Sequence, residues 1–125
     1  MPFKILVAED DKFLGKVYKA KFVKEGYEVQ SASDGNEVFN ILQNFMPDVI
    51  ILDLIMPIKD GFITLKELKL NDKFKNIPVI IASNLGQKDE IEKGLNLGAA
   101  DYLVKSDTTI EKVIEKVRMH IINRE

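Results

Sequence analysis

Five times along the chain a short apolar run hands over to a stretch whose apolar residues recur at helical spacing. Phe3–Ala8 reads as a buried strand, and Leu14, Val17, Tyr18 and Phe22 follow at helical intervals before Gly26, a natural helix stop. "YEVQS" alternates as a second strand, "SDG" reads as a turn, and Val38, Phe39, Ile41, Leu42 and Phe45 mark a second helix. Asp48–Asp53 is a third strand, apolar throughout its interior, followed by the loop "PIKDG" and a helix marked by Phe62, Leu65 and Leu68. "IPVIIAS" is a fourth strand, and Gln87–Leu97 a fourth helix weakened by Gly94 in its interior. "DYLV" is a short fifth strand, and Ile110, Val113, Ile114, Val117 and Ile121 form the last helix.

Strand–helix alternation of this kind implies a parallel sheet covered by helices on both faces. Right-handed crossovers reduce the possible topologies. The expected fold is α/β, a doubly wound five-stranded parallel sheet of order 2-1-3-4-5, flavodoxin-like, with residues 1–125 as one domain. In such sheets the ligand site lies beyond the carboxyl ends of the strands where the strand order reverses, here strands 1 and 3.

Composition narrows the function classes. A net charge of −2 gives no basic excess for neutralising nucleic-acid phosphates. The absence of cysteine removes thiolate and disulfide chemistry. No apolar stretch approaches the roughly 20 residues of a membrane span, and "MPFKILVAEDD" lacks a signal-peptide layout. A soluble, cytoplasmic domain is the expectation.

The chemistry is carried by what each strand delivers at its carboxyl end. Strand 1 delivers Glu9, Asp10 and Asp11; strand 3 delivers Asp53; strand 4 delivers Ser83 and Asn84; strand 5 delivers Lys105. Close carboxylates repel, so together they raise a pKa or attract a cation. An all-oxygen set suits Mg²⁺, which keeps waters and accepts a phosphate oxygen. Aspartate is also a nucleophile toward phosphorus, and a phosphoryl group wants a cation, a lysine and a hydroxyl around it. The residues therefore point to phosphoryl transfer to Asp53.

With those residues in view, the chain resembles the receiver domains of two-component response regulators. "ILVAEDD", "VIILDLIMPIKDG", "PVIIAS" and "DYLVK" match the family's four signatures in order, and the resemblance covers essentially all 125 residues. It implies a signalling switch. Asp53 would take the phosphoryl group from the phosphohistidine of a sensor kinase or histidine phosphotransfer protein. Asp10 would ligate Mg²⁺ directly, Glu9 through water, and the carbonyl of Ile55 would complete the protein ligands. Ser83 would bond the phosphoryl oxygen after transfer, Lys105 would pair with it, and Tyr102 would be the aromatic whose rotamer follows Ser83. Helix 4, strand 5 and helix 5 would form the output surface toward a downstream protein, with no nucleic acid or membrane contacted directly. On this reading the domain is no enzyme beyond its own phosphorylation and dephosphorylation.

Two positions depart from the family pattern. Asn84 stands where the residue after the hydroxyl is usually small, and Ser106 stands where proline usually follows the lysine. Without proline a cis bond costs about 3 kcal/mol, so the Lys105–Ser106 bond is expected to be trans. Asp11 is expected to cap the first helix rather than bind metal, Pro57 and Gly61 to serve the loop, and His120 to lie on the surface. Two other classes make different demands on the sequence. A receiver-like module that signals by contact alone would not need the full acid, hydroxyl and lysine set. An aspartate-nucleophile phosphatase needs a second acid just after the nucleophile, whereas Leu54 and Ile55 follow Asp53.

Overall fold

The computed structural model describes residues 2–124. Its order is β1 (Lys4–Ala8), α1 (Lys12–Lys24), β2 (Glu28–Ala32), α2 (Gly35–Leu42), β3 (Val49–Leu52), α3 (Gly61–Leu70), β4 (Val79–Ser83), α4 (Lys88–Asn96), β5 (Asp101–Val104), a 3₁₀ turn (Lys105–Asp107) and α5 (Ile110–Arg124). The five strands are parallel and ordered β2-β1-β3-β4-β5, as expected.

Strand side chains alternate between the two faces, and each face has its own core. Leu6, Ala8, Ile50, Leu52 and Ile81 pack with Val38 and Leu42 of α2 and Leu65 and Leu68 of α3. Ile5, Val7, Ile51, Ile80 and Ala82 pack with Tyr18 and Phe22 of α1 and Val113, Val117 and Ile121 of α5. This two-sided burial is why β1, β3 and β4 read as nearly unbroken apolar runs.

Helix ends follow local chemistry. Asp11 accepts the Leu14 N–H at 3.1 Å and caps α1 as expected. At the other end Gly26 has φ 96°, with Tyr27 N–H bonded to Phe22 O and Gly26 N–H to Val23 O, a Schellman closure that only glycine makes cheaply. Four sequence readings need correction. "SDG" is not a free turn: Asp34 caps α2 through the Glu37 N–H at 2.9 Å, and Gly35 opens the helix. Phe45 lies beyond the end of α2 and packs on the core from the connection to β3. Gly94 is no mere weak point. A Cβ there would lie 2.6 Å from Ile81 Cδ1 and 3.1 Å from two Tyr102 ring carbons, so it lets α4 sit close to the sheet. Finally, His120 is half-buried, with Nε2 3.3 Å from Asp101 Oδ2. Among the described residues there is no cis peptide bond, so Lys105–Ser106 is trans.

Candidate functional site

The sheet ladder places the acids. Ala8 pairs with Leu52 across β1 and β3, and the Asp53 N–H then donates to Ala8 O at 2.9 Å. The first residues past both strands, Glu9 and Asp53, thus emerge side by side where the strand order reverses. Asp10 follows, exposed, while Glu9 and Asp53 are each only 6% exposed. Carboxylate oxygens of Glu9, Asp10 and Asp53 lie within 4.8 Å of one another.

Lys105 closes the group from β5. Its Nζ donates to Asp53 Oδ2 at 2.9 Å and also to Glu9 Oε1. Pairing β4 with β5 (Ser83 opposite Val104) brings the lysine to the same edge. With both buried carboxylates ionised, one ammonium would leave the innermost part of the site with one negative charge in excess, which favours a proton on Glu9. Burial pushes the Glu9 carboxyl up to about 7, with the charge of Asp53 adding to the rise and the bonds from Lys105 and the Asp11 N–H opposing it. Burial alone would pull Lys105 down, but its hydrogen bonds to Glu9 and Asp53 and their charges hold it above its ordinary value.

The backbone fixes the orientation of the acids. Asp53 Oδ1 accepts the Ile55 N–H at 3.1 Å, and Glu9 Oε2 accepts the Asp11 N–H at 3.1 Å. Gly61 at the start of α3 is sterically obligatory, because a Cβ there would lie 2.3 Å from Asp53 O and 2.4 Å from Leu54 Cα. The connecting loop carries Ile58 at φ 66°, an outlier for a β-branched residue.

Ser83 is fully buried at the end of β4, and its Oγ accepts the Leu85 N–H at 3.3 Å. The Tyr102 hydroxyl donates to the carbonyl of the same Leu85. The backbone of Leu85 therefore ties hydroxyl and aromatic together, a link invisible in sequence because it uses main-chain atoms. Burial raises the Tyr102 phenol, with Glu90 and Asp53 adding to the rise. Asn84 is exposed beside Ser83.

Tyr18 is a neighbour that sequence reasoning assigned only to the core. Burial raises its phenol, Lys105 opposes the rise, and Glu9 and Asp53 add to it, so it senses the charges of the site from α1. Its spacing of seven residues from Asp11 is the only signal that could have placed it there.

The carboxylate-only donor set, within 4.8 Å and partly desolvated, fits a hard divalent cation such as Mg²⁺. Among the described residues no helix is long and apolar enough to cross a membrane.

Comparison with known proteins agrees with this geometry. The family model of the response regulator receiver domain matches residues 5–118. The chain is 33% identical over 115 residues to the "DNA-binding dual master transcriptional regulator RpaA" of Synechocystis, covering 92% of this chain and 47% of RpaA. The chain spans half or less of the length of this and other curated relatives. Among solved structures, the Francisella response regulator 1452 receiver domain is 35% identical with a TM-score of 0.89, and 98% of each chain is covered. The phosphorylated cyanobacterial phytochrome response regulator RcpA is 28% identical with a TM-score of 0.82, covering 94% of this chain and 90% of that one.

Proposed function

Because the chain belongs to the response regulator receiver domain family, we propose that Asp53 is its phospho-acceptor and that the domain, residues 1–125, is a Mg²⁺-dependent signalling switch. The observation that carries this reading is the cluster at the strand-order switch: Glu9, Asp10 and Asp53 within 4.8 Å, with Lys105 Nζ on two of them. A complete set of this kind has no purpose in a module that signals by contact alone.

Asp10 and Asp53 would hold the cation directly, Glu9 would help through water, and the Ile55 carbonyl would complete the protein ligands. Bound Mg²⁺ supplies positive charge to the phosphoryl oxygens as they transfer. A carboxylate oxygen of Asp53 attacks phosphorus in line with the donor imidazole nitrogen; the P–N bond breaks as the P–O bond forms, and the leaving nitrogen keeps the electron pair. Lys105 releases Asp53 Oδ2 and takes a phosphoryl oxygen. Ser83 Oγ turns to another, which removes the acceptor of the Leu85 N–H. Leu85 also accepts from Tyr102, so the change passes to β5 and to the α4–β5–α5 surface. The donor is a sensor histidine kinase or histidine phosphotransfer protein, the receiver of the signal is a downstream protein on that surface, and the setting is the cytoplasm. The domain catalyses only its own phosphorylation and dephosphorylation.

The reading is tested by incubating the protein with acetyl phosphate in Mg²⁺ and in EDTA. One phosphoryl group per chain in Mg²⁺ and none in EDTA is expected; equal labelling in both, or none in Mg²⁺, overturns it.

A further inference from the structure

We propose that a cavity between α1 and the β2–α2 connection, next to the phosphoryl site and sharing Glu9 with it, binds a small phosphorylated compound through Lys12, Lys16 and Lys19. The cavity holds about 290 Å³, and Gly15, Ser31 and Ser33 also line it. That volume is at the low end for ligand pockets and suits a compound no larger than a mononucleotide.

Charge is the first argument. The three lysines follow one another at i, i+4 and i+7, so they share a face of α1 and repel one another. Among the described residues none of them comes within 4 Å of a carboxylate. Lys21 and Lys24 raise the helix to five lysines with no acid, in a chain whose net charge is −2. The carboxylates that do line the cavity are already engaged: Glu9 with Lys105, and Glu37 with the Ser33 hydroxyl. Three ammonium groups with no carboxylate partner beside one concavity, with the Ser31 hydroxyl also in its lining, suit an anion of more than one charge.

Gly15 is the second, independent argument. A glycine in a helix interior costs stability relative to alanine. At Gly35, Gly61 and Gly94 the structure shows the reason, since an added Cβ would come within 3 Å of a neighbour. At Gly15 there is no such reason: a Cβ would meet only the Glu9 carbonyl oxygen, at 4.0 Å. What the missing side chain leaves is open floor in the cavity, between the lysines. No protein atom uses that space, so a ligand's non-phosphate part is assigned to it, against the aliphatic stems of the lysines. Because Glu9 forms part of the wall, an occupant here would lie against the acid cluster without entering it.

The test is titration of the full chain in EDTA, which keeps metal-bound phosphate out of the acid cluster, followed by calorimetry and amide NMR. The probes are inorganic pyrophosphate and adenosine 5′-monophosphate at fixed ionic strength. Saturable binding of at least one probe is expected, with shifts on α1 and residues 31–33. Lys16→Gln/Lys19→Gln should weaken it tenfold or more, Lys16→Arg should retain it, and the distant control Lys66→Gln should leave it unchanged. Gly15→Ala should raise Tm yet weaken the nucleotide at least threefold. Tighter binding of the nucleotide would place its organic part over Gly15; equal or weaker binding would contradict that placement. Absence of saturable binding at millimolar concentration, parent affinity in the double lysine variant while its Tm is unchanged, or parent affinity in Gly15→Ala would each overturn the proposal.

Discussion

Glu9→Gln isolates the electrostatic strain of the acid cluster without metal. Glu9 is buried beside Asp53, and its carboxyl is pushed from 4.5 up to about 7, chiefly by burial. Below pH 4.5 it carries a proton in both the folded and unfolded states, and the fold meets no penalty. Between 4.5 and about 7 the folded state holds the proton more tightly, so this contribution to stability is lost as pH rises. That upward shift of the Glu9 carboxyl corresponds to a ceiling of roughly 3 kcal/mol above pH 7. Glutamine removes the charge but offers one acceptor oxygen where Glu9 uses two, one for the Asp11 N–H and one for Lys105, and the Lys105 ammonium loses one of its two ionic partners. That loss returns about 1–2 kcal/mol. A net stabilisation of about 1–2 kcal/mol is expected for Glu9→Gln at pH 8 in EDTA, a rise in Tm of roughly 3–8 °C for a domain of this size. Urea or thermal unfolding at pH 8 and pH 4.5 reads it, and the gain should vanish at the lower pH. A variant no more stable than the parent at pH 8 would refute the reasoning, because the ion pairs with Lys105 would then outweigh burial.

Three further outcomes follow from the same geometry. Asp10→Ala should weaken Mg²⁺ binding at least about tenfold, or 1.4 kcal/mol, yet raise the Tm of the metal-free protein by relieving repulsion; calorimetry and unfolding in EDTA measure the two effects. Amide exchange in the unphosphorylated protein should show α4 less protected than α1 and α5, because α4 buries only Gly94 whereas α1 buries Tyr18 and Phe22, and α5 buries Val113, Val117 and Ile121; uniform protection would contradict this. Asn84→Ala should speed both gain and loss of the phosphoryl group by about threefold or more, some 0.7 kcal/mol of barrier, if the exposed amide narrows the in-line path; slower dephosphorylation would instead assign it the orienting of a water.

The sheet was legible because two-sided burial writes itself as apolar runs, and each run ends in the residue it delivers: Glu9, Asp53, Ser83 and Lys105 were all found this way. Connection rules narrow the strand order without fixing it, and the observed β2-β1-β3-β4-β5 is the expected choice among the orders they leave. Long-range sterics were not legible. Gly35 reads as part of a turn until Thr64 Oγ1 and Lys59 are seen within 3 Å of its would-be Cβ, and Gly94 reads as a flaw until Ile81 and Tyr102 are seen against it. Nor could the sequence show that Lys105 bridges Glu9 as well as Asp53, 96 and 52 residues away. The pairing of His120 with Asp101 was hidden for the same reason, since nothing local in the last helix announces a carboxylate on β5. The link through Leu85 runs on backbone atoms, which every residue type carries.

The assignment of Asp53 as acceptor is tested most directly by mapping the phosphoryl group. The protein is labelled with acetyl phosphate in Mg²⁺, reduced with borohydride to mark the acyl phosphate, digested and analysed by mass spectrometry, with Asp53→Asn alongside. Modification at Asp53 alone, absent in the variant, is the expected result. A modified residue elsewhere in the parent, or equal labelling of Asp53→Asn, would contradict it.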